Sequence, residues 1–202
     1  MAEEIRPGAV RPGGRTARTK RAVLAATLTE LVENGYAGTS LEKIAARAGV
    51  AVSTLYRRWG GLDRVILEAG MDVGTGIVTP DTGDFERDLI DFARAVVEVY
   101  RNPVAEHWLY AMVVAATRDP SARATFSLLF ENRFAEVVVI VRRALERGEV
   151  HPDTDPAEVI RLAAAPIYYR MLVTGEPVDD AVAERAARTA ALAARAGVLR
   201  AD

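Results

Sequence analysis

Apolar residues recur three and four positions apart along nearly the whole chain, and no long stretch alternates apolar and polar residues. The first spacing places side chains on one face of an α-helix, whereas strict alternation is typical of a half-buried strand. Helix starts are marked by an N-cap acceptor followed by proline, whose missing N–H costs nothing at the first helical position. Three such pairs occur: Asn102-Pro103, Asp119-Pro120 and Asp155-Pro156. The sequence therefore predicts an all-α fold.

Nine predicted helices follow from these signals and from the glycines and prolines between them. Their ranges are 16–34, 40–48, 52–58, 62–74, 84–101, 103–118, 121–147, 156–174 and 179–196. The valine-rich run 137–141 lies inside a longer segment with helical spacing, which predicts a helix buried on most faces rather than a strand. Pro166 predicts a kink in the eighth helix. The glycines from Gly70 to Gly83 indicate a loop at about 75–83.

The composition excludes several classes of protein. A chain of 202 residues, half of them hydrophobic, can bury a sizeable core, so neither a disordered chain nor a small disulfide-stapled scaffold fits. With no cysteine, the chain has no thiolate nucleophile and no cysteine-ligated zinc site. The first twenty residues carry no apolar leader and no uncharged apolar run reaches about 18 residues, so we expect a soluble cytoplasmic protein that does not enter a membrane.

Charge is distributed unevenly along the chain, although its net value is only −2. Residues 1–64 carry eleven Lys and Arg against six Asp and Glu, and residues 65–202 carry fifteen against twenty-two. A basic first third attracts a polyanion that the acidic remainder repels. We therefore predict one domain over 1–64, with a flexible basic N-terminal arm, and a second domain over 65–202.

Residues 39–59 have the pattern of two short helices joined by a tight turn. Thr39 with Glu42 forms a capping box at the start of the first helix, and Gly49 supplies the left-handed residue that ends it. Apolar residues at spacings of three and four turn one side of the second helix toward the first and leave its arginines outward. This predicts a helix-turn-helix with an arginine-bearing recognition helix. An ordinary helical hairpin with a solvated charged face is the alternative.

From about Arg18 to Val65 the sequence resembles the DNA-binding domain of TetR-family transcriptional regulators. The resemblance lies in three consecutive motifs, GY-x-GTS, IA-x-x-AGV and LY-x-x-W, which begin at Gly35, Ile44 and Leu55. It implies an N-terminal three-helix DNA-binding domain over 1–64. It also implies that 65–202 form a helical bundle that combines a ligand cavity with the interface of a homodimer.

The resemblance also implies roles for individual residues. Ser53, Thr54 and Tyr56 are expected on phosphates or groove walls, and Arg57 and Arg58 at base edges, where their planar forks suit guanine. Ser40 and Lys43 are expected to hold a phosphate at the start of the second helix. Two alternatives stay open: Tyr56 as a core aromatic, and Arg58 paired with Asp63.

The chain departs from the family pattern at Ala51, Val52 and Leu62, where a capping residue and two lysines are usual. Two phosphate contacts are thereby lost. The arm 1–21 is expected to compensate by tracking the backbone or the minor groove. Its basic residues are Arg6, Arg11, Arg15, Arg18, Lys20 and Arg21.

The second domain holds mostly apolar and aromatic candidates for a cavity that takes a hydrophobic small molecule. They are Met71, Phe92, Val96, Trp108, Met112, Phe130, Phe134 and Tyr169. Each also fits a plain core position. The helices 156–174 and 179–196 are expected to form the homodimer interface, because family members dimerise there and because the alanines of the last helix permit close approach.

No catalytic constellation is present: the sequence lacks a Gly-rich phosphate loop, an H-E-x-x-H motif and a nucleophile elbow. We expect no enzyme activity, no metal and no cofactor. The sequence predicts a dimeric regulator that binds an inverted-repeat operator in double-stranded DNA, most simply a repressor released by a small molecule. Two alternatives are a regulator that needs no ligand, and a helical enzyme or carrier whose hairpin is only structural.

Overall fold

A computed structural model of the chain describes residues 14–71, 73 and 79–200. Most of the expected basic arm, with Arg6 and Arg11, and much of the expected loop at 75–83 lie outside the described residues. Within the described ranges there is no strand, and a single isolated bridge joins Thr154 to Arg200. The predicted all-α fold is confirmed.

The described residues form ten α-helices. They are α1 (Arg15–Gly38), α2 (Leu41–Ala48), α3 (Val52–Trp59), α4 (Leu62–Ala69), α5 (Phe85–Arg101), α6 (Pro103–Arg118), α7 (Pro120–Val137), α8 (Val139–Glu146), α9 (Pro156–Tyr169) and α10 (Asp180–Arg195). A π-helical turn, Arg170–Thr174, continues α9 past Pro166. None of these helices combines the length and the apolar character needed to span a bilayer.

The capping signals fix most helix starts as predicted. Asn102, Asp119 and Asp155 each accept a hydrogen bond from the backbone N–H two residues later, at 2.7 to 2.9 Å, with proline between. The capping box predicted from Thr39 and Glu42 at the start of α2 is not formed, because the N-cap lies one residue later and Lys43 stands three residues after it. Ser40 is the N-cap there, and the Thr39 hydroxyl instead donates to the Gly35 carbonyl at 2.7 Å, closing the end of α1.

Two predicted helices differ from the observed ones. The helix predicted over 121–147 bends at Val138, which divides it into α7 and α8. The expectation that it is buried on most faces is wrong for α7, which buries only Ala122 and Val137 among its described side chains. The fourth helix, predicted over 62–74, ends at Ala69, because the following residues form a turn at Gly70.

Three hydrophobic clusters organise the packing. One joins α1, α2, α3 and α4 around Ile44, Leu55 and Val65, and the largest joins α5 to α10. The third lies between α1, α4 and α6 and includes Trp108. The body therefore packs directly on α1 and α4 of the head, where the head is α1 to α4 and the body is α5 to α10.

Candidate DNA-binding surface and body cavity

The α2–α3 hairpin is held by its turn and its apolar side. Gly49 has φ +66°, in the left-handed region that glycine enters without strain, and its N–H closes the end of α2 by donating to the Ala45 and Ala46 carbonyls. Leu55 and Trp59 of α3 are buried against the head cluster. The predicted helix-turn-helix geometry is therefore present.

The opposite side of α3 faces solvent. Ser53, Arg57 and Arg58 are exposed, and Thr54 is half-buried. The Tyr56 side chain is 51% exposed, so it is not the core aromatic of the alternative interpretation. This surface therefore presents aliphatic hydroxyls, the Tyr56 hydroxyl and two guanidinium groups. Such groups contact phosphates and base edges in protein–DNA complexes.

Arg57 and Arg58 differ in their surroundings. The Arg58 guanidinium lies 5.0 Å from the centre of the Trp59 ring, and Arg58 lines a groove between the head and α7. The alternative pairing of Arg58 with Asp63 is wrong, because Asp63 accepts a hydrogen bond from the Tyr36 hydroxyl at 2.8 Å instead. Arg57 has no ion-pair partner among the described residues. Arg58 has none there either, so its contact with the Trp59 ring is what distinguishes the two.

The expected phosphate-binding residues lie at two helix starts. The Ser40 hydroxyl accepts a hydrogen bond from the Lys43 N–H at 3.3 Å, and the Lys43 ammonium donates to the Gly38 carbonyl at 2.7 Å. Both residues remain at the surface. Arg18 is exposed in the first turns of α1, so it belongs to a helix and not to a flexible arm.

Lys20 is also not part of a free arm. It forms an ion pair with Glu68 of α4, and the same carboxylate accepts a hydrogen bond from the Trp59 indole. Glu68 thus ties α1 and α3 to α4. Burial alone would raise the pKa of Glu68, but these two hydrogen bonds and the charges of Lys20 and Arg58 outweigh it and lower the pKa. Sequence reasoning missed Glu68, because nothing in its helical spacing indicates which helices its carboxylate reaches.

The lowered pKa of Glu68 predicts a pH dependence of stability. A carboxyl with a lowered folded-state pKa contributes stability above its unfolded pKa, near 4.5, and loses it as the pH falls through the folded value. Glu68→Gln should therefore lower the free energy of unfolding by roughly 1 kcal/mol at pH 7. In urea titrations at decreasing pH, the difference in unfolding free energy between Glu68→Gln and the unchanged chain should shrink below about pH 4.5. Glu146→Gln, at an exposed carboxylate of α8, is the control, and an equal loss there would contradict the role of Glu68.

A second junction joins α4 to the body. The buried Trp108 indole of α6 donates to the Ile66 carbonyl at 2.8 Å, and its ring packs directly on Gly70. Met112 lies in the same cluster. The expectation that Trp108 and Met112 line the same cavity as the other candidates is wrong, because both face α1 and α4 rather than the centre of the body.

The body contains a small cavity of about 50 Å³ between α5, α7 and α9. Four of the predicted residues come together there: Phe92, Val96, Phe130 and Phe134. Two others lie elsewhere. Met71 is exposed at the groove between the head and α7, and Tyr169 is 59% exposed because its neighbour Tyr168 takes the inward position.

The remaining cavity wall is polar in part. Sequence reasoning missed its Tyr100, Arg133 and Tyr168: a charged residue carries no apolar signal, and helical spacing did not decide between Tyr168 and Tyr169. The Tyr100 and Tyr168 rings meet edge to face with centroids 5.7 Å apart. Burial raises the pKa of both hydroxyls above the usual value, and the neighbouring Tyr100 raises that of Tyr168 further. Both hydroxyls are therefore neutral donors at physiological pH.

An exposed recognition helix in a helix-turn-helix head, joined to a helical body with its own cavity, defines a helix-turn-helix DNA-binding regulator. Family models match both parts. Residues 23–69 match the bacterial regulatory proteins of the tetR family, and residues 79–190 match the tetracyclin repressor-like C-terminal domain. The chain belongs to the TetR family of DNA-binding transcriptional regulators. The resemblance inferred from the three motifs is confirmed.

Individual relatives agree with this assignment. The HTH-type transcriptional regulator YdeS of Bacillus subtilis (strain 168) is 27% identical over 80% of this chain and 82% of its own. The HTH-type transcriptional regulator AqdR of Rhodococcus erythropolis is 30% identical over 72% and 70%. A solved TetR-family regulator from Mesorhizobium loti MAFF303099 has a TM-score of 0.69 at 20% identity, covering 91% of this chain and 98% of that one. The last likeness concerns the fold. These relatives are regulators, a role that is not enzymatic.

Proposed function

We propose that this regulator is a homodimeric repressor that binds an inverted-repeat operator and leaves it when a hydrophobic small molecule enters the body. In this proposal 1–64 bind DNA, 65–202 bind the ligand and the second subunit, and α4 crosses the division. The observation that carries the proposal is the packing of Trp108 on Ile66 and Gly70. Through this contact, α6 of the body binds directly to α4, the helix that follows the recognition helix.

The dimer surface is assigned to the outer side of α9, its π turn and α10. Four large apolar side chains are exposed on these elements or just after α10: Tyr169, Val173, Leu192 and Val198. Large apolar side chains exposed on two helices that pack on each other favour an interaction surface. A two-fold dimer presents two recognition helices to successive major grooves, roughly 34–36 Å apart, which requires an inverted-repeat site.

Release follows from a shift between two populations. A ligand that favours a body conformation with α4 displaced also favours recognition helices at the wrong separation. Linkage then requires the ligand to weaken operator binding by the factor by which operator weakens ligand binding, typically about 5–150-fold. A body that serves dimerisation alone would show no such coupling.

The test starts from random double-stranded DNA. Selection with the purified full chain should enrich an inverted repeat, and fluorescence anisotropy on that repeat should show an affinity that falls steeply with salt. A panel of hydrophobic compounds is then screened for thermal stabilisation and for loss of operator binding. Enrichment of no sequence would favour an enzyme or carrier. Operator binding unaffected by any stabilising compound would favour the regulator without a ligand.

Arg57→Ala tests the role of α3 in reading bases. Loss of one base-edge contact per half-site should cost about 1–3 kcal/mol on the selected operator and relax the preference at one position. Arg18→Ala, at the exposed start of α1, should weaken selected and random DNA alike and flatten the salt dependence. Equal losses on both DNAs for Arg57→Ala would remove its base-reading role.

A further inference from the structure

The body cavity has one feature that a simple hydrophobic pocket does not need. Arg133 of α7 is half-buried in its wall among aromatic side chains. Over the residues that the structure describes, no carboxylate lies within 4 Å of its guanidinium. Glu136, one turn further along α7, is exposed at the rim and does not pair with it. A half-buried cation that has no counter-charge among the described residues favours a negatively charged partner.

Within the described residues, the Arg133 guanidinium makes a single hydrogen bond, and a charged acceptor could replace its partner. Arg133 donates to the backbone carbonyl of Val73, a neutral acceptor. Carboxylates form shorter and stronger hydrogen bonds with arginine than neutral carbonyls do, often in a bidentate geometry. A carboxylate in the cavity would therefore take the guanidinium from Val73.

The rest of the wall indicates the shape of the partner. Phe130 meets Tyr168 edge to face at 6.0 Å and Phe126 at 4.8 Å, so the rings stand across one another and leave ring faces and edges for a flat molecule. The neutral hydroxyls of Tyr100 and Tyr168 can donate hydrogen bonds to an anion. The positive charge of Arg133 acts on both of these hydroxyls.

The size of the cavity links occupancy to α4. About 50 Å³ is roughly a third of the volume of a cavity of about 150 Å³ that takes benzene. An aromatic acid can enter only if a wall moves, and Arg133 is the long side chain of that wall. Val73, which it holds, donates its own N–H to the Gly70 carbonyl at 2.9 Å, at the end of α4.

We propose that the cavity takes a planar aromatic carboxylate, which binds Arg133 in place of the Val73 carbonyl and so loosens the end of α4. The proposal rests on the function proposed above, because it names the class of effector and the contact that couples it to the head. Neutral hydrophobic compounds of the same shape lack the group that competes for Arg133.

The probes are 2-naphthoate and its neutral isostere 2-naphthamide, titrated calorimetrically into the full chain. Naphthoate should bind at least about tenfold more tightly than naphthamide, since a charge-assisted bond replaces a neutral one. Arg133→Met should abolish this preference, whereas Arg133→Lys should retain part of it. Arg123→Met, at an exposed arginine of the same helix, should retain all of it. Thermal melts establish that each variant is folded.

Three outcomes would overturn the proposal: equal affinity of the probes, a naphthoate preference that survives in Arg133→Met, or failure of both probes to bind. Release of operator DNA is measured separately by anisotropy. An Arg133-dependent preference without DNA release would leave the carboxylate site standing and contradict the ligand-released repressor. Release of operator DNA by naphthoate and naphthamide alike would support the ligand-released repressor and contradict the carboxylate site.

Discussion

Leu192→Arg should convert the proposed dimer to a monomer and lower affinity for the full operator by roughly 100-fold or more. Leu192 is 68% exposed on α10, in the surface assigned to the partner subunit. The new cation would have to leave water and face its own copy across a two-fold axis. A monomer binds one half-site at a time and loses the effective concentration that linked heads provide. Sedimentation velocity and anisotropy on the inverted repeat measure the two effects.

Leu128→Arg is the matched control, because Leu128 is 54% exposed on α7 and lies outside the assigned surface. It should leave the dimer and operator affinity unchanged. Loss of the dimer in Leu128→Arg together with its persistence in Leu192→Arg would move the interface to α7. Ala190 and Ala194 cannot serve in this test. Both are fully buried inside the protomer, so a glutamate at Ala190 would disrupt the core before it reached an interface.

The alanines of the last helix do not take the interface position that sequence reasoning assigned to them, because most are buried inside the protomer. Small residues do permit close helix approach, as expected, but α10 uses them against α5 and α9 of its own chain. The side chains that it turns outward include Leu192 and several arginines. Periodicity identifies a small-residue face and leaves open which helix will pack on it. That choice depends on tertiary arrangement.

The head could be predicted almost residue by residue, because its signals are local. Gly49 ends α2 by its own backbone freedom, and the spacing of Leu55 and Trp59 sets the buried side of α3 without reference to distant residues. The side of α3 opposite these two residues is then predicted to face solvent. One local error, Thr39 for Ser40 as the cap of α2, arises because both hydroxyls stand next to a helix end and each finds a backbone partner.

The body resists the same reasoning, because burial is visible in the sequence and partners are not. Phe92 and Trp108 have equally apolar helical surroundings, yet Phe92 faces the cavity and Trp108 faces α4. Tyr168 and Tyr169 are adjacent and only one can point inward. Arg133 reaches the cavity from a half-exposed helix whose apolar side is weakly defined. Long-range packing decided each of these cases.

Two contacts connect the body to the end of α4. Trp108 packs on Gly70 and donates to the Ile66 carbonyl, and Arg133 holds Val73 just beyond. The first is a buried apolar contact that no small ligand reaches directly. The second lies in the wall of the cavity and can be exchanged. This division suits a switch, since one contact keeps α4 attached while the other sets its position.

Gly70→Ala should therefore damage the fixed contact, and we expect one of the largest losses of stability among single substitutions in the described residues. A Cβ at Gly70 would lie 1.9 Å from the Cε2 and Nε1 atoms of the Trp108 ring. The backbone there has φ −101°, which any residue adopts, so the cost is steric alone. Overpacking of this kind costs about 2–3 kcal/mol. For a chain of this size, that lowers Tm by roughly 4–12 °C.

Gly61→Ala is the control at the other end of α4, where a Cβ meets open space and the backbone is extended. It should change stability by less than about 1 kcal/mol. A double-mutant cycle with Trp108→Leu separates the clash from any general effect of alanine, because removing the ring should remove most of the penalty at Gly70. Two results would show that Trp108 does not fix α4 to the body. One is a Tm of Gly70→Ala equal to that of Gly61→Ala, and the other is an undiminished loss of stability from Gly70→Ala in the Trp108→Leu background. The coupling would then pass through Arg133 and Val73 alone, and Arg133→Met would be expected to detach the head from the body's control.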